Sequence, residues 1–170
     1  AEIIKVERPG AGDDTRNFAP PYLPTASGAD SSESAYFAGA NRNKRSITLN
    51  LSDPKGQEIA RSLIAKSDIL VENFKTGTLD KYGLGYADVH EQVPRLIYCS
   101  VTGFGHTGPY ADRPAYDALI QAMGGVMSLT GEPTGEPMKV GVSIADLMSG
   151  MYAAVAILAA VRHQGATGMG

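Results

Sequence analysis

The spacing of apolar and polar positions changes along this chain, and each change predicts an element. Glu2-Ile3-Ile4-Lys5-Val6-Glu7 reads as a strand over 2–7, ended by Arg8-Pro9-Gly10. A long loop follows, through Gly12-Asp13-Asp14 and Pro20-Pro21-Tyr22-Leu23-Pro24. Loops of that length in compact domains are functional or disordered. A short helix is predicted over 32–40, then a basic turn, Asn41-Arg42-Asn43-Lys44-Arg45. The alternation in Ser46-Ile47-Thr48-Leu49-Asn50-Leu51 gives a second strand. Asp53-Pro54 has the form of a helix start, with Asp as N-cap and Pro in the first turn, and the helix runs to about Lys66. Its apolar face carries Ile59, Ala60, Leu63 and Ile64.

The short apolar run 68–73 fits a buried parallel strand. Short helices are expected over 78–82 and 86–92, on either side of a Gly83-Leu84-Gly85 break, and a fourth strand over 95–101. A glycine loop at 103–108, a helix over 115–123 and a hairpin-like stretch over 124–141 complete the pattern before a last helix beginning near Ser143. Strands alternating with helices define an α/β fold, a Rossmann-like parallel sheet with crossover helices. Ligands in such sheets bind at the carboxyl ends of the strands. That rule selects Arg8, Asn73–Phe74 and the loop after Val101.

The last helix poses the chemical question. Between Leu147 and Val161 it has no charged residue, yet Asp146 stands at its mouth. A carboxylate there is costly to desolvate unless something bonds to it or uses it. One reading is a capping box, in which Ser143 caps the helix and Asp146 reaches back to the Ser143 N–H. The other is a catalytic carboxylate held at the positive end of a helix. The rest of the helix, with Met148, Met151 and Tyr152, reads as core.

Composition narrows the classes. The chain has 170 residues, a net charge of −3 and a pI near 5.6, so it fits one domain with no general nucleic-acid footprint. Cys99 is the single cysteine, which leaves no disulfide framework and fits a reducing compartment. The longest apolar run, Met151 to Val161, is too short to span a bilayer, and no signal peptide is evident. The chain opens in a strand without Met and stops in the glycine-rich segment 165–170, the pattern of a piece of a longer chain.

Other signals carry less. Gly103-Phe104-Gly105-His106-Thr107-Gly108 matches G-x-G-x-x-G, but Pro109 and Pro114 interrupt the helix that a dinucleotide site needs. Arg42, Lys44 and Arg45 are either a phosphate-binding cluster or a solvated turn. His106 and His163 lack metal-ligand spacing, and no metal is expected. His90 reads as surface, Cys99 as a small core residue and Asp117 as a cap on its own helix.

Taken together, Ile4-Lys5-Val6-Glu7-Arg8-Pro9-Gly10, Asn43-Lys44-Arg45-Ser46-Ile47, Leu70-Val71-Glu72-Asn73-Phe74, Pro94-Arg95-Leu96-Ile97, Gly103-Phe104-Gly105, Tyr116-Asp117 and Asp146 with Ser149-Gly150 resemble the class III CoA-transferases. This is the formyl-CoA transferase and carnitine CoA-transferase group, and the resemblance covers nearly the whole chain. It implies that residues 1–170 are part of a large CoA-binding, catalytic domain, without the family's opening strand and helix and without its small domain. It places the catalytic aspartate on Asp146. It places CoA contacts on Arg8, on Leu49, Asn50, Leu51 and Ser52, on Asn73, Phe74 and Lys75, on Lys81, and on Arg113 and Tyr116. Lys81 stands where formyl-CoA transferase has Arg, and Pro114 where it has Lys.

The activity implied is transfer of CoA from an acyl-CoA thioester to a carboxylic acid through an aspartyl-CoA intermediate. CoA is then a substrate, no cofactor is permanently bound, and the partners are the two acids and a second copy in an interlocked homodimer. No nucleic acid or membrane partner is implied. The compartment implied is the cytoplasm, with the mitochondrion as the alternative. The helix N-terminus and its cap donors are expected to keep Asp146 ionised near its ordinary pKa, and the Gly103–Gly108 turn offers N–H groups for an oxyanion. Two other functions remain in view: an α-methylacyl-CoA racemase, whose His-Asp pair corresponds to Tyr116-Asp117, and an inactive interaction or folding fragment.

Overall fold

The computed structural model describes residues 1–170, apart from the side chain of Ser32. It divides into two compact units, residues 1–60 and 61–170.

In the first unit, β1 (Ile4–Glu7) pairs in parallel with β4 (Arg45–Thr48), in register from Ile4 opposite Arg45 to Glu7 opposite Thr48. The long loop between them is not loose. It forms a 3-10 turn, Asp14–Asn17, and an antiparallel pair of β2 (Tyr22–Pro24) with β3 (Asp30–Ser34). Sequence pattern gives no sign of this pair, because β3 is Asp-Ser-Ser-Glu-Ser and has no apolar alternation. The helix expected over 32–40 is accordingly shorter, α1 (Ala35–Ala40). Ser34 starts it: the fully buried hydroxyl accepts from Phe37 N–H at 2.9 Å and donates to Thr15 O at 2.6 Å.

The hub of this unit is Glu7. Arg16 donates to it twice, from Nε and Nη2 at 3.1 Å each. Ser46 Oγ donates at 2.7 Å and Asp13 N–H at 2.9 Å. Arg16 also pairs with Glu33 at 2.9 Å and stacks over Phe37, 3.8 Å from the ring centre. One buried carboxylate thus ties β1, β4 and the loop together. Helix α2 (Pro54–Ile64) begins as expected, with Asp53 Oδ1 accepting from Lys55 N–H at 2.8 Å. A Cβ at Gly56 would lie 2.0 Å from the Asn50 carbonyl oxygen, so only glycine lets the 49–52 turn fold onto this helix.

In the second unit, β5 (Ile69–Glu72) pairs in parallel with β6 (Ile97–Ser100). A 3-10 turn (Asp80–Tyr82) and α3 (Tyr86–Gln92) form the crossover. Leu79, Leu84, Val89, Leu96 and Ile97 bury the core between them. Beyond β6 come α4 (Asp117–Met123), a 3-10 turn (Val126–Leu129) and α5 (Ile144–Thr167). The stretch 124–141 is not a hairpin. It has no strand, and Met138 N–H closes it onto Met127 O at 3.2 Å. The fold is mixed α/β with parallel strand pairs, as the pattern predicted.

Helix α5 departs most from expectation. It packs on α4 and β6, yet Leu147, Met151, Tyr152, Val155 and Leu158 are exposed rather than core. It is also longer than the apolar run suggested. Ser149, Gly150, Gln164 and Gly165 all continue it, giving 24 residues whose most apolar window has a mean hydropathy of 1.9. By length and composition that is enough to cross a membrane, and the run read as too short is corrected. Its far end is pinned to the start of β6: Gln164 Nε2 donates to Arg95 O, and Gly170 N–H to Pro94 O at 3.0 Å. At 1.5 Å per residue, the helix then carries Asp146 about 27 Å away.

Candidate active site

Parallel strands present their carboxyl ends to ligands, and the end of β5 and β6 is polar here. Glu72 accepts from Ser100 Oγ on one oxygen and from Phe74 N–H at 2.7 Å on the other. His106 Nε2 lies 2.9 Å from the same Ser100 oxygen. Since the Ser100 proton goes to Glu72, the imidazole donates here from Nε2. Asn73 Nδ2 donates to Val101 O at 2.5 Å, so the residue holds the two strand ends together. Phe74 and Lys75 project from this edge, both exposed. Burial and then the Glu72 charge push the Cys99 thiol up, and the same two causes with Asp80 push the Tyr98 phenol up to about 12.

The loop after β6 turns back tightly. Thr102 Oγ1 accepts from Gly105 N–H at 2.8 Å, so that N–H is not free for an oxyanion. A Cβ at Gly103 would sit 2.0 Å from the Ala115 Cβ, so glycine is required where the two ends of the loop touch. Phe104 and Tyr110 meet edge to face at 5.7 Å, and the Arg113 guanidinium lies 4.3 Å over the Tyr110 ring. No helix opens at Gly103–Gly108, so the dinucleotide reading fails on geometry. Tyr116 is 78 % exposed, and Lys81 is exposed on its 3-10 turn.

The first unit holds the remaining expected contacts. Arg8 follows β1 directly but is already paired, on the surface, with Asp14. The Leu49 side chain is buried core, so only its backbone is open to a ligand. Asn50 Oδ1 accepts from Ser52 N–H at 3.1 Å, and Leu51 O from Gln57 Nε2 at 3.0 Å, which shapes the 49–52 turn. In the basic turn, Arg45 pairs with Glu2 and Lys44 lies 3.4 Å from Asn41 Oδ1.

Asp146 is in the first turn of α5, but no capping box forms. Ser143 makes no side-chain cap bond. The cap comes from another helix: Asp117 Oδ1 accepts from Ala145 N–H at 2.9 Å. Asp117 therefore does not cap α4, whose N-cap position is Tyr116 with no side-chain bond. The other Asp117 oxygen accepts from Gln121 Nε2 at 2.6 Å. Gln121, only 1 % exposed, also accepts from Val140 N–H at 2.8 Å. This latch ties α4 to the turn before α5. Sequence reading missed Gln121, because a buried Gln has no pattern until its partners are known. It also passed over Glu7 and Glu72, which show no spacing signal.

The Asp146 carboxylate is left exposed and accepts no hydrogen bond from any described residue. Burial of part of its surroundings, and then the Asp117 charge, push its pKa up from the ordinary value. That corrects the expectation that cap donors hold it near 3.8: the Ala145 N–H goes to Asp117, and no described donor reaches Asp146. An unbonded carboxylate of raised basicity, at a helix N-terminus, is suited to nucleophilic attack.

Known proteins match this chain closely. The model of CoA-transferase family III matches residues 1–170. Succinate–glutarate CoA-transferase of Agrobacterium fabrum is 49 % identical over all of this chain and 42 % of its own length. The human succinyl-CoA:glutarate CoA-transferase is 48 % identical, with 37 % of its length covered. The crystal structure of a CaiB/BaiF family protein from Brucella suis superimposes with a TM-score of 0.92 at 51 % identity, covering all of this chain and 44 % of that one. The chain thus spans about two-fifths of the length of the relatives it matches. With its mixed α/β fold and the motifs that run through both units, the chain belongs to CoA-transferase family III.

Proposed function

We propose that the protein moves CoA from an acyl-CoA thioester to a carboxylic acid, with Asp146 as the nucleophile. The observation that carries this reading is the freed carboxylate. Asp146 stands at the mouth of α5 with no structural duty, while Asp117 does the capping. Asp146 attacks the thioester carbonyl, a mixed anhydride forms and CoA thiolate leaves. The thiolate attacks the aspartyl carbonyl of that anhydride, releasing the first acid and leaving an aspartyl-CoA thioester. The acceptor carboxylate then repeats the two steps in reverse. Each step exchanges one acyl bond for another of similar energy, which is the advantage of covalent catalysis.

Relatives named for succinate, succinyl-CoA and glutarate support dicarboxylic acids as the exchanged pair. For CoA we assign, in the second unit, Asn73, Phe74 and Lys75 after β5, Lys81 on its 3-10 turn, and Arg113 and Tyr116 before α4; in the first unit, the backbone of 49–52 and Arg8 are assigned separately. A phosphate at Arg8 must displace Asp14 from the guanidinium. We further infer a homodimer, whose protein surface covers the exposed apolar side of α5.

The test is intact mass after incubation of the protein, in its natural full length, with succinyl-CoA or glutaryl-CoA, beside Asp146→Asn. The expected result is a CoA-sized adduct on the wild type, none on the variant, and a loss of turnover of about a thousandfold or more. No adduct with any donor, together with exchange of the α-proton in deuterated water, would replace this reading with racemase chemistry.

A further inference from the structure

We propose that Asp117, clamped by Gln121, is the positioning residue of the nucleophile: it takes over the cap of α5 and sets the charge state of Asp146 from the side. The inference rests on Asp146 as nucleophile and assigns a role to a pair of residues outside the reacting atoms.

Three bonds make the device. Asp117 Oδ1 takes the Ala145 N–H, Oδ2 takes Gln121 Nε2, and Gln121 Oε1 takes the Val140 N–H. The ends of the segment 140–145 are therefore bonded to one turn of α4. Gln121 is buried and its amide is used on both sides, so Asp117 has one orientation available. A helix N-terminus attracts carboxylates. Left to its own sequence, α5 would use Ser143 and Asp146 as a capping box. Here Asp117 takes the Ala145 N–H, Ser143 makes no side-chain cap bond, and the capping box does not form, so Asp146 accepts no bond.

The second effect is electrostatic. Asp117 and Asp146 serve the same helix end, and like charges disfavour ionisation of each other. Burial contributes first and Asp117 second to the upward shift of Asp146. The other titratable groups on packed elements are Tyr98 and Cys99 of β6, both pushed up and neutral near pH 7. On α5 itself, Tyr152 lies nearer but is exposed, and Arg162 and His163 lie about 24 Å or more along the axis. Asp117 is thus the charged partner that acts on the nucleophile. Its charge makes Asp146 more basic, and so a better nucleophile once ionised.

The experiment is the pH profile of kcat/KM for wild type, Asp117→Asn, Asp117→Ser and Asp117→Glu in the natural full-length protein. Asn and Ser retain an acceptor for Ala145 N–H without the charge; Glu retains the charge. The acidic limb should move to lower pH in the two neutral variants and stay in place in the Glu variant. Intact-mass detection of the CoA adduct accompanies each profile. An adduct on the wild type, with the limb unmoved in either neutral variant that folds, overturns the role given to Asp117 and leaves Asp146 as nucleophile. If neither folds, a carbon-13 titration of Asp146 in Gln121→Met, which frees the Asp117 side chain, must show a lowered midpoint, and an unchanged one overturns the inference. No adduct on the wild type overturns the nucleophile itself.

Discussion

Glu7 at the end of β1 is 6 % exposed, and Arg16, Ser46 and the Asp13 backbone all donate to it. Asp146 in the first turn of α5 is exposed and receives no such bond. The bonds from Arg16, against the cost of burial and with help from Ser46 and Asp13, hold the Glu7 carboxyl down at about 2. Burial and a neighbouring like charge push Asp146 the other way. The contrast separates two uses of one functional group. A structural carboxylate is surrounded by donors that lower its energy when charged, and the fold depends on that charge. A carboxylate denied donors, as Asp146 is, carries its charge at some cost in stability, the setting expected of the nucleophile we propose.

The strongest way to break the comparison is to spoil the hub. Glu7→Gln leaves the half-buried Arg16 guanidinium without its buried carboxylate, and should cost about 2 kcal/mol in denaturant unfolding. A cost under about 1 kcal/mol would show that Glu33 and solvent suffice for Arg16. Acid should expose the same asymmetry. Against its desolvation, Lys5 and Thr15 hold Asp13 down at about 2, as Arg16 holds Glu7. Lowered carboxyls contribute their full stability above their ordinary values, 4.5 and 3.8, and lose it as pH falls toward 2. Protection factors of the amides in residues 1–60, which correct for the pH dependence of intrinsic exchange, should therefore fall over that window, whereas unchanged protection would count against the hub.

The smallest expected effect sharpens the other side. A raised folded pKa means that the Asp146 carboxyl is favourable while protonated and loses that contribution as pH rises through its folded value. Asp146→Asn should therefore raise Tm slightly at pH 7, with the gain vanishing below about pH 4. Because the group is well exposed, solvent screens most of the effect. A lowered Tm at pH 7 would mean that the charge does structural work after all.

The elements and the carboxylate proposed as nucleophile were legible along the chain, while their ties were not. Asp53-Pro54 announced the start of α2, and the apolar runs at 68–73 and 95–101 announced the β5–β6 pair, because period and caps are local signals. Asp146 stood out because no other charge shares its apolar stretch. The β2–β3 pair, the Glu7 hub and the Asp117–Gln121 latch join residues far apart in sequence, and polar side chains keep no period by which to be read.

The two capping expectations show where the line falls. The sequence by itself determined that α5 begins near Ser143 with a carboxylate in its first turn, since an apolar stretch after a turn admits little else. Only the tertiary structure decided that Asp117 caps it and Asp146 does not. A helix N-terminus accepts any carboxylate that reaches it, and reach across the fold is set by how α4 packs on α5 rather than by position in the chain.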